Sequence, residues 1–261
     1  MCASGAPVDL ERPESELNFA RPPIIEAVVE RRFANSITRE IMNALRRKFE
    51  HEYPAVSQMS EVQIALAPDG SPPIVNENGV GYRLVNREGT AIVVLSRHAI
   101  AFARLAPYPG WADFNAGAAA TFRTARDIME YSTLSRIGVR YINRLDIPIV
   151  YKDGCPQSLR PEHYVLIYPE YPESAIPQIQ SYAMQCVSHL QDIECQVTIN
   201  VATVPAPVPG HTSIVFDIDI GRDTNIPQRG DEISALMDNI RREKNRLFIS
   251  CLTDKMKEHF K

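Results

Sequence analysis

The sequence predicts an α+β protein of two pseudo-repeated modules, each a curved antiparallel sheet packed on a long helix. Apolar residues recur at helical spacing in two long stretches, 111–129 and 231–259. Short runs rich in β-branched and aromatic residues fill much of the rest, as expected of strands. The order strand, helix, several strands, long helix occurs twice, which predicts modules at 21–135 and 136–261 (or one continuous domain) after a flexible leader at 1–20.

The first module begins with a predicted strand at 24–33, where prolines precede a β-branched run. Ser36 is a candidate cap for the helix that follows, and Pro54 predicts its end near Tyr53. Strands are predicted at 61–66, 81–86, 90–96 and 99–105. The next helix has an apolar stripe of Trp111, Phe114, Ala118, Phe122, Ala125 and Met129.

The second module repeats this order, although residue identity between the halves is faint. A strand at 136–147 precedes a segment rich in proline and tyrosine at 151–177. Strands are then predicted at 181–190, 195–204 and 213–220, followed by one helix at 231–259 with Asp231 as its cap. The doubled arrangement is similar to helix-grip and TATA-binding-protein-like folds.

The stretch SRIGVRYINRLDIP, at 135–148, raises the question of what its arginines do. On a strand, Arg136, Arg140 and Arg144 share one face, and Tyr141 lies on the other with the apolar residues. If the leading strands of the two halves pair, Glu26, Glu30 and Arg32 face this row. Opposite charges across a ladder contribute about 0.2–1 kcal/mol per pair, so we interpret the row as part of an internally neutralised sheet face.

Nucleic-acid binding through Arg136, Arg140 and Arg144 is the main alternative. The net charge of −4 provides no general attraction to nucleic acid. Tyr141 on the opposite face weakens a stacking platform, which needs aromatic and cationic groups on one surface. The basic run RREKNR at 241–246 is interpreted as a solvated helix face.

Asp217 and Asp219 are weak candidates for metal ligands, because alternate residues of a strand point the same way and carboxylates suit magnesium. The regular alternation with Phe216, Ile218 and Ile220 favours an ordinary half-solvated strand instead. Nucleophile-elbow and phosphate-loop motifs do not occur, so no cofactor is expected. An unrecognised enzyme with a metal site at Asp217 and Asp219 stays an alternative, because catalytic residues can assemble from distant positions without a local motif.

Three tyrosines in the 151–177 segment favour recognition of a protein partner. Tyr164, Tyr168 and Tyr171 offer large amphipathic surfaces, and neighbouring prolines reduce the entropy lost on binding. A crossover loop that simply packs on the core is the alternative. The sequence therefore predicts a non-catalytic protein that binds another macromolecule.

Several stretches together resemble an uncharacterised, sporadically distributed bacterial protein family of about 250 residues. They are RPPIIEAVVERRF, PYPGWADF, SRIGVRYINRLDIP, a late FDIDI strand and a closing amphipathic helix. The resemblance covers most of the chain after residue 20 and transfers no catalytic residues. Its patchy distribution implies a toxin–antitoxin or phage-defence component.

The cysteines and the hydropathy pattern predict a cytoplasmic protein. The five cysteines are odd in number and irregularly spaced, as expected of reduced thiols. No apolar run approaches the roughly 20 residues that cross a bilayer, so no membrane partner is expected.

Overall fold

A computed structural model describes residues 22–65, 74–130, 132–157, 159–172, 174 and 179–260. The predicted leader at 1–20 lies outside the described residues, as does part of the 151–177 segment. The strands are β1 (Ile24–Phe33), β2 (Ala55–Ala65), β3 (Ile74–Val85), β4 (Ala91–Ser96), β5 (Ala99–Leu105), β6 (Leu134–Pro148), β7 (Tyr151–Lys152), β8 (Cys155–Pro156), β9 (Ala183–Leu190), β10 (Cys195–Pro205) and β11 (His211–Arg222).

The helices begin at caps that differ slightly from the predicted ones. They are α1 (Arg39–Phe49), α2 (Trp111–Met129), α3 (Gly230–Ser250) and α4 (Asp254–His259). Thr38 rather than Ser36 caps α1, since its hydroxyl accepts a hydrogen bond from the Ile41 amide at 3.3 Å. Asp231 lies in the first turn of α3 instead of capping it. Within the described residues, no helix combines the length and apolar character that a membrane span requires.

The predicted pair of separate helix-packed modules is wrong. Nine of the described strands form a single antiparallel sheet in the order β2-β3-β4-β5-β1-β6-β11-β10-β9. The two leading strands, β1 and β6, pair at its centre, with Val29 opposite Val139. Because these strands hydrogen-bond to each other, the sheet continues from one half of the chain into the other.

The three longer helices lie on one face of this sheet, which we call the covered face. Phe114 of α2 contacts Phe102 of β5 at 6.0 Å and Tyr141 of β6 at 5.9 Å between ring centroids. Phe248 of α3 contacts Phe216 of β11 at 5.9 Å. The strand registers place these sheet residues on one side, because side chains alternate along each strand. The opposite side, which bears the arginine row, is called the open face.

The predicted closing helix is interrupted between α3 and α4. The Thr253 hydroxyl accepts a hydrogen bond from the Met256 amide at 3.3 Å and so caps a new helix. The 151–177 segment supplies backbone partners at the break, from the Leu166 amide to the Cys251 carbonyl and from the Thr253 amide to the Tyr164 carbonyl. These bonds satisfy backbone groups that a continuous helix would have used internally.

Candidate functional site

On the open face, Arg136 bridges the two halves of the chain. Its guanidinium donates to Glu30 of β1 at 3.1 Å and to Asp219 of β11 at 2.8 Å. It lies directly over Gly138 and Gly221, where an added Cβ would stand only 2.2 Å and 2.5 Å from its nitrogens. The absence of side chains at these two positions therefore leaves room for both ion pairs.

Arg140 and Arg144 are also bound to carboxylates. The Nε and a terminal nitrogen of Arg140 each donate at 2.8 Å to the two carboxylate oxygens of Asp217. Asn200 donates to the same carboxylate at 3.1 Å, which leaves Asp217 only 5% exposed. Arg144 pairs with Asp146 of its own strand at 3.0 Å. The hydrogen bond with Asp217 raises the pKa of Arg140 above its ordinary value, so the pair stays ionised.

The internally neutralised sheet face is therefore present. The pairing of Arg136 with Glu30 across β1 and β6 confirms the sequence-based prediction. Arg140 instead pairs with Asp217 of β11, and Arg144 pairs with Asp146 of its own strand. The described residues contain no cluster of three or more His, Cys, Asp or Glu side chains arranged for a metal ion. Nucleic-acid binding by the arginines and metal binding by Asp217 and Asp219 stay predictions, and both would require these ion pairs to break.

In the 151–177 segment, one of the three tyrosines packs against the end of the chain. The Lys255 ammonium lies 4.6 Å from the ring centroid of Tyr164. Tyr168 and Tyr171 are half-buried, and the neighbouring Leu166 is 57% exposed. Their role in binding a partner stays a prediction.

A pocket of about 540 Å³ opens on the covered face between the start of α2 and the middle of α3; we call it the central pocket. This volume lies within the range of small-molecule sites. The pocket is lined by residues 22–24 at the start of β1, 108–112 before and in α2, Tyr141 and Asn143 of β6, and Arg241, Lys244, Asn245 and Phe248 of α3. All but FDIDI of the stretches on which the family resemblance depends thus contribute to this pocket.

Lys244 is the unusual group of the central pocket. It is 9% exposed, and its ammonium nitrogen lies 4.1 Å from the ring centroid of Tyr141. No hydrogen bond or ion pair joins it to another residue of the described part of the chain. Burial, with the nearby positive charge of Arg241, lowers the pKa of Lys244 to about 7. Its amine is therefore partly neutral at physiological pH.

Two tyrosine hydroxyls meet in the same pocket. Those of Tyr108 and Tyr141 are 3.5 Å apart, and burial is the main cause that raises the pKa of each. The positive charge of Arg241 lowers the pKa of both tyrosines, but by less than burial raises it. Because burial dominates, both hydroxyls stay protonated at neutral pH and can donate hydrogen bonds.

The N-terminus of α2 opens into the pocket without a side-chain cap. Its cap residue is Gly110, in the left-handed region at φ 99°, and no side chain among the described residues accepts a hydrogen bond from the first-turn amides. The Arg241 guanidinium lies 5.6 Å from the Trp111 ring centroid, and the Trp111 indole donates to Asp238 at 3.3 Å. Uncapped helix amides carry partial positive charge, so this wall favours an anion.

A second pocket of about 510 Å³ adjoins the N-terminus of α1. Its basic residues Arg39 and Arg97 are exposed, as is His98, and Thr38 already caps the helix. A hydrated charge gains little from a new partner. The central pocket is therefore the stronger candidate site.

The sequence-based interpretation missed Lys244, because RREKNR was read as a solvated helix face. The helical spacing does indicate that Lys244 is on the buried face. Position 244 lies four residues from both Ile240 and Phe248 and thus on the apolar stripe of α3. Whether a lysine on such a stripe snorkels to water or stays buried depends on what covers it. Here α2, β6 and the start of β1 surround it.

No protein-family model matches the chain, and no curated protein matches it. Membership of the uncharacterised bacterial family stays a prediction from the quoted stretches.

Proposed function

We propose that this protein is a binding protein whose central pocket takes a small anionic ligand through a carboxylate or phosphate group. The single observation that carries the proposal is Lys244, a buried amine in a pocket of ligand size with no carboxylate partner among the described residues. A buried cation without a partner is unfavourable, so a bound anion would remove a cost already present in the free protein.

The other walls of the pocket support an anion. The uncapped amides at the start of α2 face it, and helix N-termini are ready anion sites. The protonated hydroxyls of Tyr108 and Tyr141 add hydrogen-bond donors. Phe248 and residues 22–24 provide apolar surface for the rest of the ligand.

Inorganic phosphate is the simplest probe of this proposal. We expect isothermal titration calorimetry to detect phosphate binding that Lys244→Met weakens by about tenfold or more, because a hydrogen bond to a charged group contributes about 1.5–3 kcal/mol. Binding at pH 7.5 should also take up a proton, since the anion favours the ammonium form of Lys244. The measured heat should then vary with the ionisation enthalpy of the buffer.

Lys255→Met is the matched control, because Lys255 also lies over a tyrosine ring but on the exposed surface. It should leave phosphate affinity and proton uptake unchanged. Equal affinities in the two variants, or no binding by the wild-type protein, would contradict the proposal.

A protein partner at the 150–166 connection is a second candidate function. Val150, Tyr151 and Leu166 are 62%, 59% and 57% exposed, which is unusual for large apolar side chains that lie so close in sequence. This connection overlaps the 151–177 segment that the sequence analysis assigned to partner recognition. A toxin–antitoxin or phage-defence partner in the cytoplasm is the proposal that the family resemblance adds.

An exposed valine elsewhere provides the control for this second candidate. We expect Leu166→Asp to abolish recovery of a purified cognate partner in a pull-down. Val187→Asp should not, because Val187 is equally exposed at 58% but lies on β9 at the sheet edge. Loss with both variants or with neither would exclude the 150–166 connection as the binding surface.

A further inference from the structure

We propose that Lys244 captures its ligand covalently, by forming a reversible imine with an aldehyde or ketone that carries a carboxylate or phosphate group. This inference deepens the proposed function and rests on it, because the anionic group must first bind in the central pocket. The ligand class is a 2-oxo acid or a phosphorylated aldehyde.

The geometry around Lys244 is that of a nucleophile rather than of a structural cation. Its nitrogen lies against the face of Tyr141, and Lys244 lines a pocket of about 540 Å³ that a ligand can enter. No carboxylate among the described residues holds it as ammonium. Lysines that act as nucleophiles are activated in this way, by desolvation in an apolar pocket beside another cation. Arg241, one turn earlier on α3, is that cation.

The pocket also holds the other groups that imine formation needs. The amine lone pair attacks the carbonyl carbon, a C–N bond forms, and the carbonyl oxygen takes a proton to give a carbinolamine. The hydroxyl then leaves as water after a second protonation, while the nitrogen loses its protons and the C=N bond forms. The sum is amine plus carbonyl giving imine plus water, with no oxidant or reductant. The protonated pair Tyr108 and Tyr141 supplies and recovers the protons.

The reagent should prefer Lys244 over other lysines because a larger fraction of the Lys244 amine is neutral. At pH 7 an amine with a pKa of about 7 is roughly half neutral, whereas an ordinary lysine is neutral in only about one molecule in 2,500. Lys244 should therefore react far ahead of surface lysines. An anionic carbonyl compound should also react ahead of an uncharged one, because the start of α2 holds its anionic end.

Reductive trapping of the imine with cyanoborohydride tests the inference. The full chain is incubated at pH 7 with glyoxylate or, separately, with pyridoxal 5′-phosphate, in the presence of cyanoborohydride, which reduces an imine to a stable amine. We expect peptide mapping by mass spectrometry to place one adduct per chain on Lys244, about tenfold or more ahead of Lys255. Inorganic phosphate should suppress this adduct in the wild-type protein. Acetaldehyde, which lacks the anion, should label Lys244 less.

The two arms identify the ligand class, since preference for glyoxylate indicates a 2-oxo acid and preference for the phosphorylated aldehyde indicates a phosphate ester. Lys244→Arg keeps the charge but should remove the adduct, and Lys255→Arg should keep it. If phosphate binds but Lys244 is not labelled preferentially, the proposal of imine formation is wrong and the proposal of an anion site is retained. If phosphate does not bind and Lys244 is not labelled preferentially, both proposals are wrong.

Discussion

Replacing Lys244 with methionine should stabilise the protein at neutral pH by about 2.5–4 kcal/mol. The ordinary lysine pKa of 10.5 in the unfolded chain falls to about 7 in the folded one. Each unit of difference corresponds to about 1.4 kcal/mol against folding when the amine is protonated. The contact with the Tyr141 ring favours the ammonium form by about 0.5–2 kcal/mol and offsets part of this cost. Methionine fills similar space without a charge to desolvate.

The pH dependence of this gain has a definite sign. Between pH 7 and pH 10.5 the unfolded chain binds a proton at Lys244 that the folded protein does not bind. The unfolding free energy of the wild-type protein should therefore rise by about 1.4 kcal/mol per pH unit from this group, and the slope should be absent in Lys244→Met. The advantage of the variant should be fully present below pH 7 and vanish towards pH 10.5.

Urea unfolding of both proteins at pH 7, 8, 9 and 10 measures this difference. Arg241, Tyr108 and Tyr141 face Lys244 and are present in both proteins, so the comparison of the two isolates the lysine. A difference that stays constant with pH, or a less stable variant at pH 7, would show that Lys244 is satisfied as an ammonium ion in the folded state.

Phe114→Ala should destabilise the protein by about 3–5 kcal/mol, the range for removing a buried aromatic side chain. Phe114 is fully buried at the start of α2, with ring centroids 5.9–6.0 Å from four other aromatic rings. The neighbouring rings are those of Phe102, Tyr108, Trp111 and Tyr141. Removal of the central ring would leave a cavity that these four cannot all fill.

The same change should affect the central pocket, because Tyr108, Trp111 and Tyr141 also line it. We expect Phe114→Ala to weaken phosphate binding as well, whereas Phe114→Leu, which keeps most of the volume, should cost less in both measurements. Urea unfolding and calorimetry on the same samples provide the test. A loss of stability below about 1 kcal/mol for the alanine variant would be inconsistent with a packed aromatic cluster.

Local pattern in the sequence was sufficient for most of the elements. The stripe from Trp111 to Met129 forms α2, and the alternation of Arg136, Arg140 and Arg144 with apolar residues forms β6 with its two distinct faces. These signals are local, because helix and strand periodicity depends on residues close together along the chain. The strand faces that carry Glu30 and Arg136 were predictable for the same reason, whereas their ion pair also required the long-range pairing of β1 with β6.

The candidate site was not predictable in this way. Lys244 stands in a run of charged residues, and only the positions of α2, β6 and the start of β1 around it make it a buried amine. The carboxylate partner of Arg140 likewise comes from β11, 77 residues further along the chain. Ionisation depends on what surrounds a group in space, which no local pattern records.

The sequence alone determined where helices and strands form and which of their faces are apolar, since propensity and periodicity act over a few residues. Only the tertiary structure decided that the two halves share one sheet, because hydrogen bonds between β1 and β6 join strands more than 100 residues apart. The same long-range packing encloses Lys244, and desolvation, a property of the folded interior, then changes its chemistry.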